Sequence, residues 1–448
     1  MTKTRNKDAP CRAGKEPITF MYETLCSPVN YGGLTLKNRM IFAPTSMGLP
    51  RQELLERMRA IAAGGCAMII VGDVPVLPHG FGPSLYSRKG AEFYRELVET
   101  VHGEGCKICA QLHQSDSDLK GMLRYVPGVL TGRISQAELR PLLNAQVGPY
   151  ITRLPEAKIK KITEAFGTAA ERAVALGFDM VQVHGDRMCG SFSSTVFNHR
   201  TDAYGGSAEN RARFAVEAVS AIRRRLPDLP IDYKLAVRQQ DPHYGNAGVL
   251  ESELGVFVPL LEQAGVTSFH VTLANHGDLS DTIPPKNHPA FGAQGCFLKF
   301  CDEVRALTTK PICGVGGLTD PDFVEAQLAD GRIQCAAMSR QLIADPAWPE
   351  KVRTGQADTI HRCVRCNKEC LGGMMAHRGV HCIYEKTGRN IHELCHCLHQ
   401  PDRQHRPPGR SPARRPAGGG LPVFRRPRRS RPGRRYHLRR FLDRQGDL

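Results

Sequence analysis

The sequence predicts an α/β fold, a (β/α)8 TIM barrel of eight strands each followed by a helix. Three observations carry this expectation. Short apolar runs alternate with amphipathic stretches, eight of the runs have strand length, and segments bearing glycine or charge recur where those runs end. A chain of 448 residues, 41% of them hydrophobic, is long enough for one such barrel with appendages. An open doubly wound sheet satisfies the same periodicity.

A polar leader occupies residues 1–22, and the barrel is placed at residues 23–355. Its strands are expected at 40–43, 67–71, 107–111, 180–184, 232–236, 268–272, 311–314 and 334–338. Between them, FYRELVETVHGEG, EAFGTAAERAVALGF, NRARFAVEAVSAIRRRL and DPDFVEAQLADG repeat apolar residues three and four apart, the spacing of a helix with one buried face. Residues 114–155 lack a clear repeat and are expected to form an excursion over one end of the barrel. Loops after the strands build the active site in such barrels, which makes the excursion a candidate lid. Residues 356–390 form a cysteine-bearing segment, and residues 391–448 a basic low-complexity tail.

Composition narrows the function classes. No apolar run reaches the roughly 20 residues that span a bilayer, and the first ten residues are polar, so a cytoplasmic protein without membrane partners is expected. Sixteen cysteines in a large chain lacking a secretion signal fit buried thiols, metal ligands or redox groups better than disulfides. The net charge of +17 is unevenly spread. Residues 391–448 carry 15 Arg, no Lys and 4 acidic side chains, a net +11 that leaves +6 for the preceding 390 residues. Three origins fit the tail: a polyanion-binding arm, a solvated extension, or high-GC codons read out of frame. Nucleic-acid binding therefore rests on the tail alone and is not the leading expectation.

The chemistry is expected at the strand ends. In KNRMIFAPTSM, Pro44 and Thr45 place backbone amides and a hydroxyl at the barrel mouth, although proline there often marks only a turn. Gln111 ends the third strand with both a donor and an acceptor, as the edge of a pyrimidine requires, or else caps the strand. Lys234 interrupts an apolar run in the fifth strand, and a buried ammonium needs an anionic partner. Gly316 and Gly317 follow the seventh strand, while Ser339 and Arg340 follow the eighth. Barrels commonly bind phosphate at these two loops through backbone amides and a helix N-terminus.

The blocks LKNRMIFAP, GFDMVQVHG, NHRTDAYGGSAENRARFAVEAVSAIR and GVGGLTDP…MSRQLIADPAW, over residues 23–353, resemble the Old Yellow Enzyme family in content and order. The resemblance implies a (β/α)8 barrel with FMN at its mouth. It also implies Pro44, Thr45, Gly72, Gln111, Lys234, Gly316, Gly317, Ser339 and Arg340 as FMN contacts, with Lys234 where an arginine is usual and Ser339 where glycine is frequent. Hydride would pass from the flavin to an activated carbon–carbon double bond.

Beyond the barrel, CVRCNKECLGGMMAHRGVHC spaces Cys363, Cys366, Cys370 and Cys382 as C-x2-C-x3-C-x11-C. Four thiolates at short spacing suit structural zinc. The spacing also resembles the 4Fe–4S motif of the 2,4-dienoyl-CoA reductase branch of the same family, which the barrel context favours. That branch normally continues into FAD- and NAD-binding glycine fingerprints, and no G-x-G-x-x-G appears here. The expectation is then either a truncated gene product or a short form that receives electrons from a separate FAD flavoprotein, with NAD(P)H as the ultimate donor.

After the fourth strand the family usually carries H-x-A-H-G-Y, whereas this chain reads VHGDRMCGSFSS. Asp186 and Arg187 stand at the mouth as the expected catalytic pair, with a loop salt bridge as the bland alternative. His184 and Cys189 are expected to be structural. The His-Gly-Asp-Arg variation resembles the bilirubin-reducing branch, which implies bilirubin as substrate. A dienoyl-CoA, steroid or other enone is the alternative.

Overall fold

A computed structural model of the chain describes residues 22–78, 82–117, 123–134, 136–241 and 243–387. All but the last residue of the expected leader, and the whole basic tail, lie outside these residues.

Eight strands appear where the sequence places them. They are β1 (Met40–Phe42), β2 (Met68–Pro75), β3 (Lys107–His113), β4 (Met180–His184), β5 (Ile231–Arg238), β6 (Ser268–Thr272), β7 (Ile312–Val315) and β8 (Cys335–Met338). Each pairs in parallel with the next, and β8 returns to β1 with Met338 opposite Phe42. The sheet is therefore closed, which removes the open-sheet alternative. Helices such as Arg51–Ala63, Arg88–His102, Glu156–Ala175 and Ala208–Arg225 cover its outside.

Side-chain alternation divides the core in two. Ile41, Met68, Ile70, Cys109, Met180, Cys313, Cys335 and Ala337 fill the barrel interior. Phe42, Ile69, Ile108, Val181, Tyr233 and Leu235 point outward to the helices. The hairpin Val29–Tyr31/Leu34–Leu36 adds fully buried Tyr31 and Leu36 to the interior group. Tyr31 donates to the Asp232 carboxylate at 2.9 Å, so a polar contact anchors the hairpin to β5.

Three strands outrun their expected ends by two residues or more, and the extension matters for function. β2 continues from Val71 to Pro75 through a register shift, with Asp73 at φ 53°. β3 continues to His113 and β5 to Arg238. Gly72 and Asp73 sit at the β2 irregularity, a bulge that redirects a strand next to a site.

The excursion forms helices Val126–Leu130 and Gln136–Arg153. Its end is held by Arg200, whose guanidinium donates to the carbonyls of Ile151 at 2.8 Å and Leu154 at 2.7 Å. This is a cation satisfying the open carbonyls of a helix C-terminus. Asn198 likewise donates to the carbonyls of Phe192 and Tyr204. The long central sequence block is thus a clamp that fixes the loop after β4.

Candidate active site

The strand C-termini open into a cavity of about 350 Å³. All nine residues expected to contact FMN line it, as do Asp186 and Arg187. On one side, Thr45 Oγ1 and Ser339 Oγ share a hydrogen bond of 2.7 Å and join the loops after β1 and β8. A Cβ on Gly72 would stand 3.2 Å from the Thr45 amide nitrogen, so any side chain there would press against this loop. Gly316 has φ 101°, and a side chain there would strike the Phe297 ring at 2.7 Å.

The period-2 alternation of β3 to β6 sets the floor of the cavity. Gln182 donates from Nε2 to Asp232 at 2.5 Å, and Gln111 donates from Nε2 to Gln182 at 2.6 Å. Gln111 Oε1 accepts from the Asp73 amide at 3.3 Å. The Gln111 amide is thereby oriented by a buried chain that begins at the barrel bottom. One layer up, Lys234 Nζ lies 3.1 Å from Asp186 Oδ2. The partner of the inward ammonium is a carboxylate of this chain, where the sequence reading had only a flavin to offer.

Asp186 is the centre of a charged group. His184 Nδ1 also rests against its carboxylate. Burial opposes its charge, but His184, Lys234, Arg187 and His276 together hold its carboxyl well below the usual range. Arg187 makes no ion pair among the described residues, so the loop salt bridge between Asp186 and Arg187 is absent there. Burial disfavours the Arg187 charge, and the carboxylates of Asp116, Asp186 and Asp73 more than compensate. An arginine in this state is a receptor for an anionic or carbonyl-bearing ligand.

The structure adds residues that the sequence reading passed over. Asp73 accepts from Ser46 and faces His184 at 3.5 Å and His113 at 4.0 Å. Burial pushes His113 down to about 4, leaving its ring neutral at physiological pH. His184, expected to be structural, lines the cavity, whereas Cys189 is buried away from it. His276 Nε2 donates to the Asp186 carbonyl at 2.6 Å, and its Nδ1 lies 3.3 Å from Asp116. His270 lines the cavity with a buried Nδ1 that has no hydrogen-bond partner among the described residues. His113 and His270 had a signal: each lies two residues from an inward polar group on its strand, and so on the same face. No described residue of the 114–155 excursion lines the cavity, so its expected role as a lid finds no contact there.

Cys363 and Cys370 line the same cavity, and all four motif cysteines line an adjoining cleft with Arg340 and Tyr384. Thirteen cysteines fall within the described residues, and none is in a disulfide. No three described His, Cys, Asp or Glu side chains converge on a single-ion site.

A sequence model of the NADH:flavin oxidoreductase / NADH oxidase family matches residues 24–359. The chain belongs to this family. It is an oxidoreductase, and the family supports FMN and NAD(P)H as its redox cofactors. The chain is 63% identical over 372 residues to a bilirubin reductase of Clostridium symbiosum, covering 83% of this chain and 100% of that protein. It is 34% identical over 382 residues to a bilirubin reductase of Mediterraneibacter gnavus, covering 81% of this chain but 58% of that longer protein. Among solved structures, a 2-naphthoyl-CoA reductase complex matches with TM-score 0.66 at 22% identity, over 81% of this chain and 57% of that one. Morphinone reductase matches with TM-score 0.55 at 24% identity, over 76% and 91%. These two likenesses concern the fold. Among the described residues, no helix of this flavin oxidoreductase is long and apolar enough to cross a membrane.

Proposed function

We propose that this NADH:flavin oxidoreductase family member is a cytoplasmic enzyme that reduces bilirubin toward urobilinogen, using FMN at the barrel mouth. The observation that carries the reading is the pair at the end of β4: Asp186 held ionised, and Arg187 beside it without an ion-pair partner in the cavity. The same activity is named for the Clostridium symbiosum protein, which this chain matches over that protein's whole length.

FMN suits the residues present. The tight glycine cradle, the amide of Gln111, the orphaned His270 Nδ1 and the Arg340 guanidinium offer donors and acceptors to a flat heterocycle with a phosphate tail. When bound, FMN supplies the hydride for reduction of a carbon–carbon double bond. The chain supplies charge and protons. Bilirubin is a conjugated tetrapyrrole with two propionates, and Arg187 is the group to bind a propionate or a lactam oxygen. Because Asp186 is ionised, it is not itself the acid. It accepts a hydrogen bond from Lys234 and stands against the His184 ring, so that a proton can reach the substrate from the Lys234 ammonium.

Cys363, Cys366, Cys370 and Cys382 are proposed to hold a 4Fe–4S cluster. Their common cleft can offer one thiolate to each of the four irons of a cubane, and their spacing resembles the cluster motif of the family's dienoyl-CoA reductase branch. Electrons then come from NAD(P)H, directly or through a separate FAD flavoprotein.

The test is anaerobic turnover. Purified protein carrying FMN, reduced by NADH or dithionite, is expected to bleach the bilirubin absorbance with reoxidation of the flavin. Flavin reoxidation by simple enones with no reaction toward bilirubin would reject this substrate.

A further inference from the structure

The four-cysteine motif contains a residue that its ligand role leaves unexplained. Arg365, between Cys363 and Cys366, has φ 52°, a left-handed conformation that non-glycine residues rarely adopt and only with strain. Its side chain is nevertheless buried, with 8% exposure. It reaches back from the cysteine loop to the glycine cradle: a Cβ on Gly317 would lie 3.0 Å from Arg365 Nη1. The guanidinium donates to the carbonyls of Ala293 at 2.8 Å and Gly292, and lies 3.6 Å from Cys296 Sγ. Of five N–H donors, these contacts engage three. The others remain for a ligand, and Arg365 lines the main cavity together with Gly316, Ser339 and Arg340.

Arg340 approaches the same place from the end of β8. It donates to Asn367 Oδ1 at 2.6 Å and to the Pro284 carbonyl at 3.0 Å, so the cysteine loop is latched to it as well. The two guanidiniums are near enough for their charges to oppose each other. Among the described residues neither forms an ion pair with a carboxylate. Two like charges withdrawn from water beside a glycine cradle favour an anion bound between them, in addition to the cysteine sulfurs that stand near Arg340.

We infer that Arg365 is a second cationic ligand for the phosphate of the bound flavin, so that the cysteine loop completes the cofactor's phosphate site. The inference rests on the FMN reading above. It gives the strained backbone a physical reason: with this left-handed turn the side chain reaches back beside Gly317, and the phosphate contact offsets the strain.

The experiment compares FMN with riboflavin, which lacks the phosphate, binding to the flavin-depleted full-length protein by fluorescence quenching. Arg365→Gly suits the test because glycine adopts φ 52° without strain and keeps the backbone donor to Cys363. The variant is expected to weaken FMN binding by tenfold or more, on the order of a lost charge-assisted hydrogen bond, and to leave riboflavin binding unchanged. Arg365→Lys is expected to keep most of the preference for FMN. Equal losses for both flavins would mean that Arg365 only holds the loop, and unchanged FMN affinity would remove it from the phosphate site. A parent protein that binds neither flavin would overturn the cofactor reading, and the inference with it.

Discussion

Lys234 Nζ lies 3.1 Å from Asp186 Oδ2, joining the mouths of β5 and β4 through a pair whose side chains are 14% and 9% exposed. Neither charge has enough solvent to stand alone, so each depends on the other. The pair places a cation proposed to face the cofactor against a carboxylate proposed to face the substrate.

Breaking that pair from either end is expected to give different results. Asp186→Asn and Arg187→Ala are expected to retain FMN, held by other loops, and to be reduced by dithionite as the parent is. Reoxidation by bilirubin should slow by roughly 10² or more, the scale of a positioned proton-transfer group. Lys234→Ala leaves the buried Asp186 without its ammonium and should cost about 3–5 kcal/mol of stability, measured by denaturant unfolding. Parental rates in Arg187→Ala would remove the main reason for preferring bilirubin to a generic enone.

The cysteine cleft leads to a metal analysis. Protein purified without oxygen is expected to contain about four irons and four sulfides per chain, with one flavin. Cys366→Ser should lower the iron content while the barrel remains folded by circular dichroism, because Cys366 is exposed at the barrel's edge. Stoichiometric zinc without sulfide would replace the cluster with a structural site.

Asp232 provides a pH test of the barrel floor. It accepts hydrogen bonds from Tyr31, Gln182 and Ser268, yet burial dominates and pushes its carboxyl up to about 6. A raised carboxyl pKa means that the folded state binds the extra proton. Its contribution is therefore full below about pH 4 and is lost as pH rises through about 6. Asp232→Asn, which keeps an acceptor for Gln182, should remove this loss and gain up to roughly 3 kcal/mol relative to the parent near pH 7. The stability difference between variant and parent, measured from pH 4 to 8, should grow across that window. A flat difference would show that the hydrogen bonds keep Asp232 ionised throughout.

The barrel could be read from the sequence because its signals are local. Apolar runs such as 180–184 and 268–272, bounded by helices of 3.6-residue period, reappear with the same limits as β4 and β6. The convergence of Gln111, Lys234 and the two glycine loops on one cavity was legible for a related reason: in a parallel barrel every strand ends at the same face. Asp73 was missed because its position depends on a bulge that adds residues beyond Val71, a feature of strand pairing that apolar periodicity does not report.

By itself, then, the sequence determined the eight strands, the residues that stand at their ends and the spacing of four cysteines, while closure of the sheet was decided by the pairing of β8 with β1. Tertiary structure decided which charges meet. Lys234 and Asp186 are 48 residues apart, and Arg365 and Ala293 are 72 apart. Neither distance along the chain predicts contact. What brings them together is the closure of eight strands into one ring, which forces ionisable groups from separate strands into a single small cavity where burial leaves each charge dependent on a partner.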